Sequence, residues 1–187
     1  MTIVAAGDSM IWGSELQDSP HGGPNGYSKK TFAAILADNL PYVCVAYPGI
    51  GNREIVTRLL DILNHVDQAG VIVCWTWSSR DNELSADNHI ISLQKYLELR
   101  GFPYLFTCVD NCILTDNPKI NWNHWYLFPE GERTYETTSP RGFYQWAVEN
   151  KYSIGPDGHP LEQAHQDAAE LLKEKYNELV KKFVQQN

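Results

Sequence analysis

Two short segments near opposite ends of the chain carry side chains that together can break an ester bond. Ser9 ends a Gly-Asp-Ser tripeptide directly after the apolar run Thr2–Ala6, and His159 lies in a Gly-His-Pro segment with Asp157 two residues before it. A hydroxyl, an imidazole and a carboxylate are the groups that nucleophilic acyl transfer needs. In that chemistry the serine attacks, the histidine accepts its proton, and the carboxylate fixes the ring tautomer. The residue types therefore predict Ser9 as nucleophile, His159 as general base and Asp157 as the orienting carboxylate.

The position of Ser9 relative to the predicted strands favours this role. A short apolar run that ends at a glycine is typical of a buried strand in a parallel sheet, and open α/β folds bind ligands at the carboxyl ends of such strands. The alternative is an ordinary strand-to-loop turn, because glycine, aspartate and serine are all favoured in turns. The histidine segment at the other end of the chain favours the nucleophile.

The spacing of Asp157 and His159 leaves the partner of the imidazole open. Pro160 favours an extended backbone at His159, while Gly158 can adopt conformations that other residues avoid. In an extended segment, residues two apart face the same side with Cα atoms roughly 7 Å apart. An Asp157–His159 hydrogen bond fits that geometry. Otherwise a backbone carbonyl orients the ring and the site is a Ser-His dyad.

The rest of the chain predicts the fold that brings these segments together. Apolar runs alternate with amphipathic segments, which is typical of a parallel sheet covered by helices on both faces. The predicted strands are 2–6, 42–46, 71–75 and 104–109, and the predicted helices are 28–39, 53–66, 85–100, 140–150 and 161–184. We expect one α/β domain over residues 1–187. His165 is interpreted as part of the surface or packing of the last helix.

An aromatic-rich insertion at about 110–152 interrupts this alternation. Aromatic faces suit both lipid and carbohydrate, so the insertion could form a lid or a sugar-stacking wall over Ser9. The alternative is a local satellite core beneath a long loop.

Composition excludes several classes of protein. The formal net charge of −8 and the pI near 5.2 disfavour binding to nucleic acid or to anionic lipid. No apolar run is long enough to span a membrane, and the first residues do not resemble a secretory leader, so we expect a cytoplasmic protein. The four cysteines lack the spacing of a zinc site and are expected to be free thiols.

The motifs resemble those of the SGNH, or GDSL, hydrolases over most of the chain. The matching blocks are Gly7-Asp8-Ser9, Gly49-Ile50-Gly51-Asn52 and Asp157-Gly158-His159-Pro160. The resemblance implies a flavodoxin-like three-layer α/β/α sandwich that hydrolyses esters of lipids, sugars or thiols without a metal or organic cofactor. It also implies that Ser9 is the nucleophile and His159 the base. The N–H groups of Ser9 and Gly51 would bind the oxyanion, with Gly49 as the alternative to Gly51. A weaker resemblance, through Pro48 and residues 75–80, is to small GDSL-like proteins of bacteriophages.

One block departs from the family pattern. Its third block normally ends a strand with Gly-x-Asn, whose asparagine gives the oxyanion a further hydrogen bond, whereas this chain has Trp75-Thr76-Trp77-Ser78. Loss of one such donor typically lowers turnover on the order of 100- to 1000-fold. By its position at the strand end, Ser78 is the expected replacement, with Ser79 and Asn52 as alternatives.

The predicted function is serine ester hydrolysis of a small ester, such as an acetylated sugar or a short acyl ester. Asp8, Arg80 and Trp77 are assigned to substrate binding. Arg80 would bind an anionic group of the substrate, or it would simply pair with Asp81 or Glu83. The alternative function is a binding protein on the same scaffold, which recognises a carbohydrate or other small ligand and whose hydrolytic site has decayed. A phosphate-binding flavodoxin-like protein is disfavoured, because the glycines after the first strand do not form a phosphate-binding loop.

Overall fold

A four-stranded parallel sheet is the centre of the fold. The computed structural model describes residues 1–19, 26–81, 86–129 and 140–186, with side chains described up to residue 180. The strands are β1 (Thr2–Ala6), β2 (Tyr42–Cys44), β3 (Ala69–Trp75) and β4 (Tyr104–Cys108). The α-helices within these ranges are α1 (Ser9–Trp12), α2 (Phe32–Ala37), α3 (Asn52–Leu63), α4 (Asp87–Arg100), α5 (Phe143–Glu149) and α6 (Glu162–Gln186). Short 3₁₀ helices cover Ser78–Asp81, Asn111–Ile113 and Trp122–His124.

The strand order β2-β1-β3-β4 creates a crevice at the carboxyl edge of the sheet. β1 pairs in parallel with β2 on one side and with β3 on the other, so that Val4 lies opposite Val43 and Val71. The chain therefore progresses in one direction from β1 to β2 and in the opposite direction from β3 to β4. Ligands of open α/β sheets bind where the order reverses in this way. Ser9 follows β1 directly, at this reversal.

Alternate strand residues face two hydrophobic cores, one on each side of the sheet. Ile3, Ala5 and Ile72 are buried against side chains of α2, α5 and α6. Val4, Ala6 and Val73 are buried against side chains of α3 and α4. The sheet thus lies between two helical layers, which confirms the predicted three-layer α/β/α sandwich.

Capping explains two of the differences from the predicted helices. The helix expected from Ser28 begins at Phe32, since the Thr31 hydroxyl accepts the N–H of Ala34. The Ser28 hydroxyl instead donates a hydrogen bond to the carboxylate of Asp18. No helix was predicted between the first strand and residue 28. Residues 9–12 nevertheless form α1, because the Asp8 side chain caps the first turn.

The described parts of the aromatic insertion, residues 110–129 and 140–152, pack into the main cores. Phe128, Phe143 and Trp146 are buried in the core that also contains Phe32 of α2, and the rings of Phe32 and Phe143 lie 5.1 Å apart. Trp125 is buried in the other core, with its ring 5.6 Å from that of Phe106. The insertion therefore completes both cores in the described ranges. Residues 130–139 lie outside the described residues.

Candidate active site

Ser9 lies at the first position of α1, where the backbone is fixed by the preceding residue. Asp8 is fully buried, and its Oδ1 accepts the N–H of Met10 at 3.0 Å. Its Oδ2 accepts the Thr76 hydroxyl at 2.7 Å and Nη1 of Arg80 at 2.9 Å. Within the described residues, both oxygens of this carboxylate bond to other groups of the protein. No contact therefore supports the predicted role of Asp8 in substrate binding. Asp8 instead connects the end of β1 with the end of β3.

His159 lies in a tight turn, and its imidazole contacts a carboxylate that the sequence analysis did not identify. Nδ1 of His159 lies 2.7 Å from Oε2 of Glu15. The same carboxylate accepts the main-chain N–H of His159 at 3.1 Å and that of Asp157 at 2.9 Å. Asp157 therefore contributes its backbone here, and the ring partner predicted from the Asp-x-His spacing is replaced by Glu15.

The turn explains why Asp157 does not reach the ring. The N–H of Gly158 donates to the carbonyl of Gly155, and Gly158 has a φ of 91°, so this segment is not the extended strand that the spacing argument assumed. A Cβ on Gly155 would lie 2.5 Å from the Glu15 carboxylate. A glycine at 155 is therefore needed for Glu15 to enter the turn.

Glu15 has an unusual backbone conformation and a well-defined charge state. Its φ of 68° lies in the left-handed region, which is uncommon for a residue other than glycine. Burial alone would raise its pKa, but the hydrogen bonds from the Asp157 N–H and from the ring and N–H of His159 outweigh burial, so the pKa is lowered. Glu15 is consequently a carboxylate at neutral pH and can stabilise a positively charged imidazole.

Ser9 and His159 line one cavity of about 720 Å³ at the carboxyl edge of the sheet. Glu15, Asp157, Gly49 and Arg80 also line it, together with the aromatic side chains of Trp12 and Tyr47. Within the described ranges, Ser9 Oγ and His159 Nε2 have no direct hydrogen bond. Catalytic hydrogen bonds often tighten only when a substrate binds. The two ends of the chain thus meet at one site, as the motif analysis expected.

The second block forms a turn between β2 and α3. Gly49 has a φ of 81° and lines the cavity. Gly51 is the N-cap residue of α3 and lies against the carboxylate of Asp81. That carboxylate accepts the N–H groups of Asn52 and Arg53 at 2.8 and 3.1 Å. Asp81 therefore caps α3 and is not the partner of Arg80.

The side chains predicted to replace the missing asparagine have other contacts. Asn52 is fully buried, where its Oδ1 accepts the N–H of Thr76 and its Nδ2 donates to the Thr76 carbonyl. Ser78 lies near Cys112: burial raises the pKa of that thiol, with a further increase from Asp110, while Ser78 lowers it. Neither Ser78 nor Ser79 lines the cavity.

Arg80 lies between the two loops that border Ser9. Its Nη1 donates to Asp8 Oδ2 and, at 3.3 Å, to the carbonyl of Ile50. The guanidinium carbon is 4.8 Å from the ring centroid of Trp77, a cation–π contact. Trp77 therefore contacts the arginine and does not line the cavity. Glu83, the other predicted partner of Arg80, lies outside the described residues.

His165 is a packing residue, as one reading of the last helix predicted. Its Nδ1 accepts the N–H of Phe32 at 3.2 Å, and its ring lies 4.7 Å from that of Phe143. Burial lowers its pKa to about 3, with a smaller contribution from His159. His165 is therefore neutral at physiological pH.

Solved structures with the same fold are esterases and lipolytic proteins. Esterase EstA from Pseudoalteromonas sp., determined with a monoethylphosphonate inhibitor, is similar over 98% of each chain, with a TM-score of 0.61 and 13% identity. A G-D-S-L family protein of Desulfitobacterium hafniense, described as a lipolytic protein, covers 95% of this chain and 98% of its own, with a TM-score of 0.55 and 15% identity. The acetylxylan esterase Axe2 of Geobacillus stearothermophilus covers 94% and 93%, with a TM-score of 0.52 and 10% identity.

These likenesses identify the fold as that of the SGNH/GDSL hydrolases, in agreement with the motifs. No protein-family model and no curated protein sequence matches the chain. Among the described helices, none combines the length and apolar character needed to cross a bilayer.

Proposed function

We propose that this protein is a serine ester hydrolase that acts through an acyl-enzyme. The observation that carries the proposal is the pairing of His159 Nδ1 with Glu15 in the cavity that Ser9 lines. A carboxylate on Nδ1 leaves Nε2 to accept a proton from the nucleophile, and it stabilises the imidazolium that forms.

Ser9 Oγ attacks the ester carbonyl while His159 Nε2 takes its proton, and the carbonyl electrons move to the oxygen. The tetrahedral intermediate collapses, the C–O bond to the alcohol breaks, and His159 returns the proton to the leaving alkoxide. A water molecule then repeats the sequence on the acyl-enzyme, which releases the acid and restores the Ser9 hydroxyl.

Backbone amides supply part of the oxyanion site. Ser9 is the first residue of α1, where an N–H has no partner within the helix. The second amide comes from the turn between Gly49 and Gly51. Gly49 is the preferred donor because it lines the cavity, whereas Gly51 lies against Asp81.

The substrate proposed is a small ester, such as an acetylated sugar or a short acyl ester. A cavity of about 720 Å³ is of the size that binds small molecules. Trp12 and Tyr47 form an aromatic corner in it, with ring centroids 5.4 Å apart. An aromatic corner of this kind suits the apolar face of a sugar ring or a short acyl chain.

The direct test is hydrolysis of p-nitrophenyl acetate by the purified protein and by Ser9→Ala. We expect release of p-nitrophenol by the wild type and loss of it in the variant. A wild type that is no faster than buffer, or a variant as fast as the wild type, would overturn the proposal.

A ligand-binding protein is the second candidate. It is favoured by two observations: Ser9 and His159 have no direct hydrogen bond, and Ser78, Ser79 and Asn52, expected to replace the asparagine of the third block, do not line the cavity. Under this alternative, calorimetric titration with acetylated and free xylo-oligosaccharides would give saturable binding, and no acetate would be released in the calorimeter cell.

A further inference from the structure

We propose that the guanidinium of Arg80 is the third oxyanion donor, in place of the asparagine that the third block lacks. This inference rests on the proposed esterase function and assigns Arg80 a role in catalysis, beyond that of binding an anionic substrate. Ser78, the expected replacement, does not line the cavity.

Arg80 lies between the segments that hold Ser9 and Gly49. Nη1 of Arg80 donates both to Asp8, the residue before the nucleophile, and to Ile50, which lies between Gly49 and Gly51. The guanidinium thus connects the two loops whose amides are proposed to bind the oxyanion. Arg80 lines the same cavity as Ser9 and Gly49.

The guanidinium is held in place before any substrate binds. Asp8 is fully buried and is itself fixed by Thr76 and by the backbone of α1. The Trp77 ring covers one face of the guanidinium, while 28% of the Arg80 side chain stays exposed. Donors fixed in this way stabilise developing charge without reorganisation during the reaction.

Arg80 also has guanidinium N–H donors that no described residue accepts. A guanidinium carries five N–H groups. Nη1 donates both of the hydrogen bonds that the structure shows for Arg80. Within the described residues, Nε and Nη2 have no acceptor. A charged N–H donor makes a shorter and stronger hydrogen bond to an oxyanion than an amide does.

The pairing with Asp8 also bears on substrate choice. The buried carboxylate balances the formal charge of Arg80, so the pair has no net charge. A neutral pair gives little attraction to an anionic substrate, but its N–H groups still favour an oxygen on which negative charge develops. The proposal therefore predicts an effect on turnover and little effect on substrate binding.

The test compares Arg80→Met and Arg80→Lys with the matched control Arg100→Met. Arg100 also lies over an aromatic ring, 4.8 Å from that of Phe102, and its Nη2 also donates to a backbone carbonyl, but it does not line the cavity. We expect kcat for p-nitrophenyl acetate to fall on the order of 100- to 1000-fold in both Arg80 variants, with KM changed less than about threefold. Arg100→Met should keep its kcat.

Two further measurements separate a catalytic role from a structural one. Arg80→Lys keeps a cation beside Asp8, so its melting temperature should stay near that of the wild type while kcat falls. In Arg80→Ala, added guanidinium chloride at non-denaturing concentrations should restore part of the lost kcat, and the same concentration of sodium chloride should not.

The outcomes distinguish this proposal from the esterase proposal. An inactive wild type overturns both. An active wild type whose Arg80→Lys variant keeps full kcat, or whose Arg80 variants lose affinity and not turnover, overturns only the role of Arg80. A kcat loss in the folded lysine variant, with guanidinium rescue of the alanine variant, supports it.

Discussion

The two walls of the cavity use their polar side chains in opposite ways. On the His159 side, one carboxylate from a distant part of the sequence accepts three hydrogen bonds from the turn, and the imidazole remains directed to the cavity. On the opposite side, where the end of β3 meets the start of α3, Asn52 is bonded to the backbone of Thr76, and Asp81 is bonded to the N–H groups of Asn52 and Arg53. Among the described residues that follow β3, Arg80 lines the cavity, and Ser78 and Ser79 do not. A polar residue at a strand end is thus available for chemistry only where helix capping and packing do not already use it.

The largest expected effects are on the Ser9–His159 pair. Ser9→Ala and His159→Ala should each lower kcat on the order of 10,000-fold or more, and the double variant should lose no more than either single variant, because the two residues act as a unit. Steady-state kinetics with p-nitrophenyl acetate gives the comparison. Independent, multiplicative losses would show that the residues do not act together.

The next effect separates the two carboxylates near His159. Glu15→Gln keeps the size of the side chain but removes the charge that stabilises the imidazolium, so kcat should fall on the order of 100- to 10,000-fold. Asp157→Asn keeps the backbone N–H that Glu15 accepts and should change kcat by less than about threefold. The reverse order of effects would return the role of orienting carboxylate to Asp157.

A smaller effect is expected on the opposite wall. Ser78→Ala should leave kcat within about twofold of the wild type, because Ser78 does not line the cavity. Measured beside Arg80→Lys, this variant shows which residue replaces the asparagine. A 100-fold loss in Ser78→Ala would contradict the comparison between the two walls.

The smallest effect concerns stability and not turnover. The folded-state pKa of His165 is about 3, below its ordinary value of 6.5, so between these pH values the unfolded chain binds a proton that the folded chain does not. The free energy of unfolding should therefore fall with acid by up to about 1.4 kcal/mol per pH unit from this residue. Asn at 165 can still accept the Phe32 N–H but does not titrate.

Urea midpoints of the wild type and His165→Asn at pH 7 and pH 5 measure this difference. The midpoint of the wild type should drop more between the two pH values than that of the variant. Glu15 also stabilises the fold through a lowered pKa, but that contribution is lost only below its ordinary range near 4.5, so it changes little in this interval. Equal drops would mean that the environment of His165 does not depress its pKa.

The sequence alone predicted the strands and the sandwich because both depend on local pattern. Four apolar runs with alternating helices are sufficient to specify a parallel sheet, and the glycine-aspartate-serine and histidine-proline segments mark its functional edge. The role of Glu15 depends on the fold: 144 residues separate it from His159, and no spacing rule links them. A glutamate in the loop directly after the serine helix was the only available signal. The hydrogen bonds between the Asn52 side chain and the Thr76 backbone could not be predicted from the sequence either. The two residues are 24 apart and pair only because the end of β3 lies beside the start of α3.

The central claim is that Ser9 is a nucleophile activated by His159, and covalent labelling tests it most directly. The purified protein is incubated with a fluorophosphonate, and intact mass is recorded for the wild type, Ser9→Ala and His159→Ala. The account predicts one adduct on the wild type, none on Ser9→Ala, and slow labelling of His159→Ala. A wild type that stays unlabelled after prolonged exposure, or a Ser9→Ala variant that labels at the wild-type rate, would contradict it.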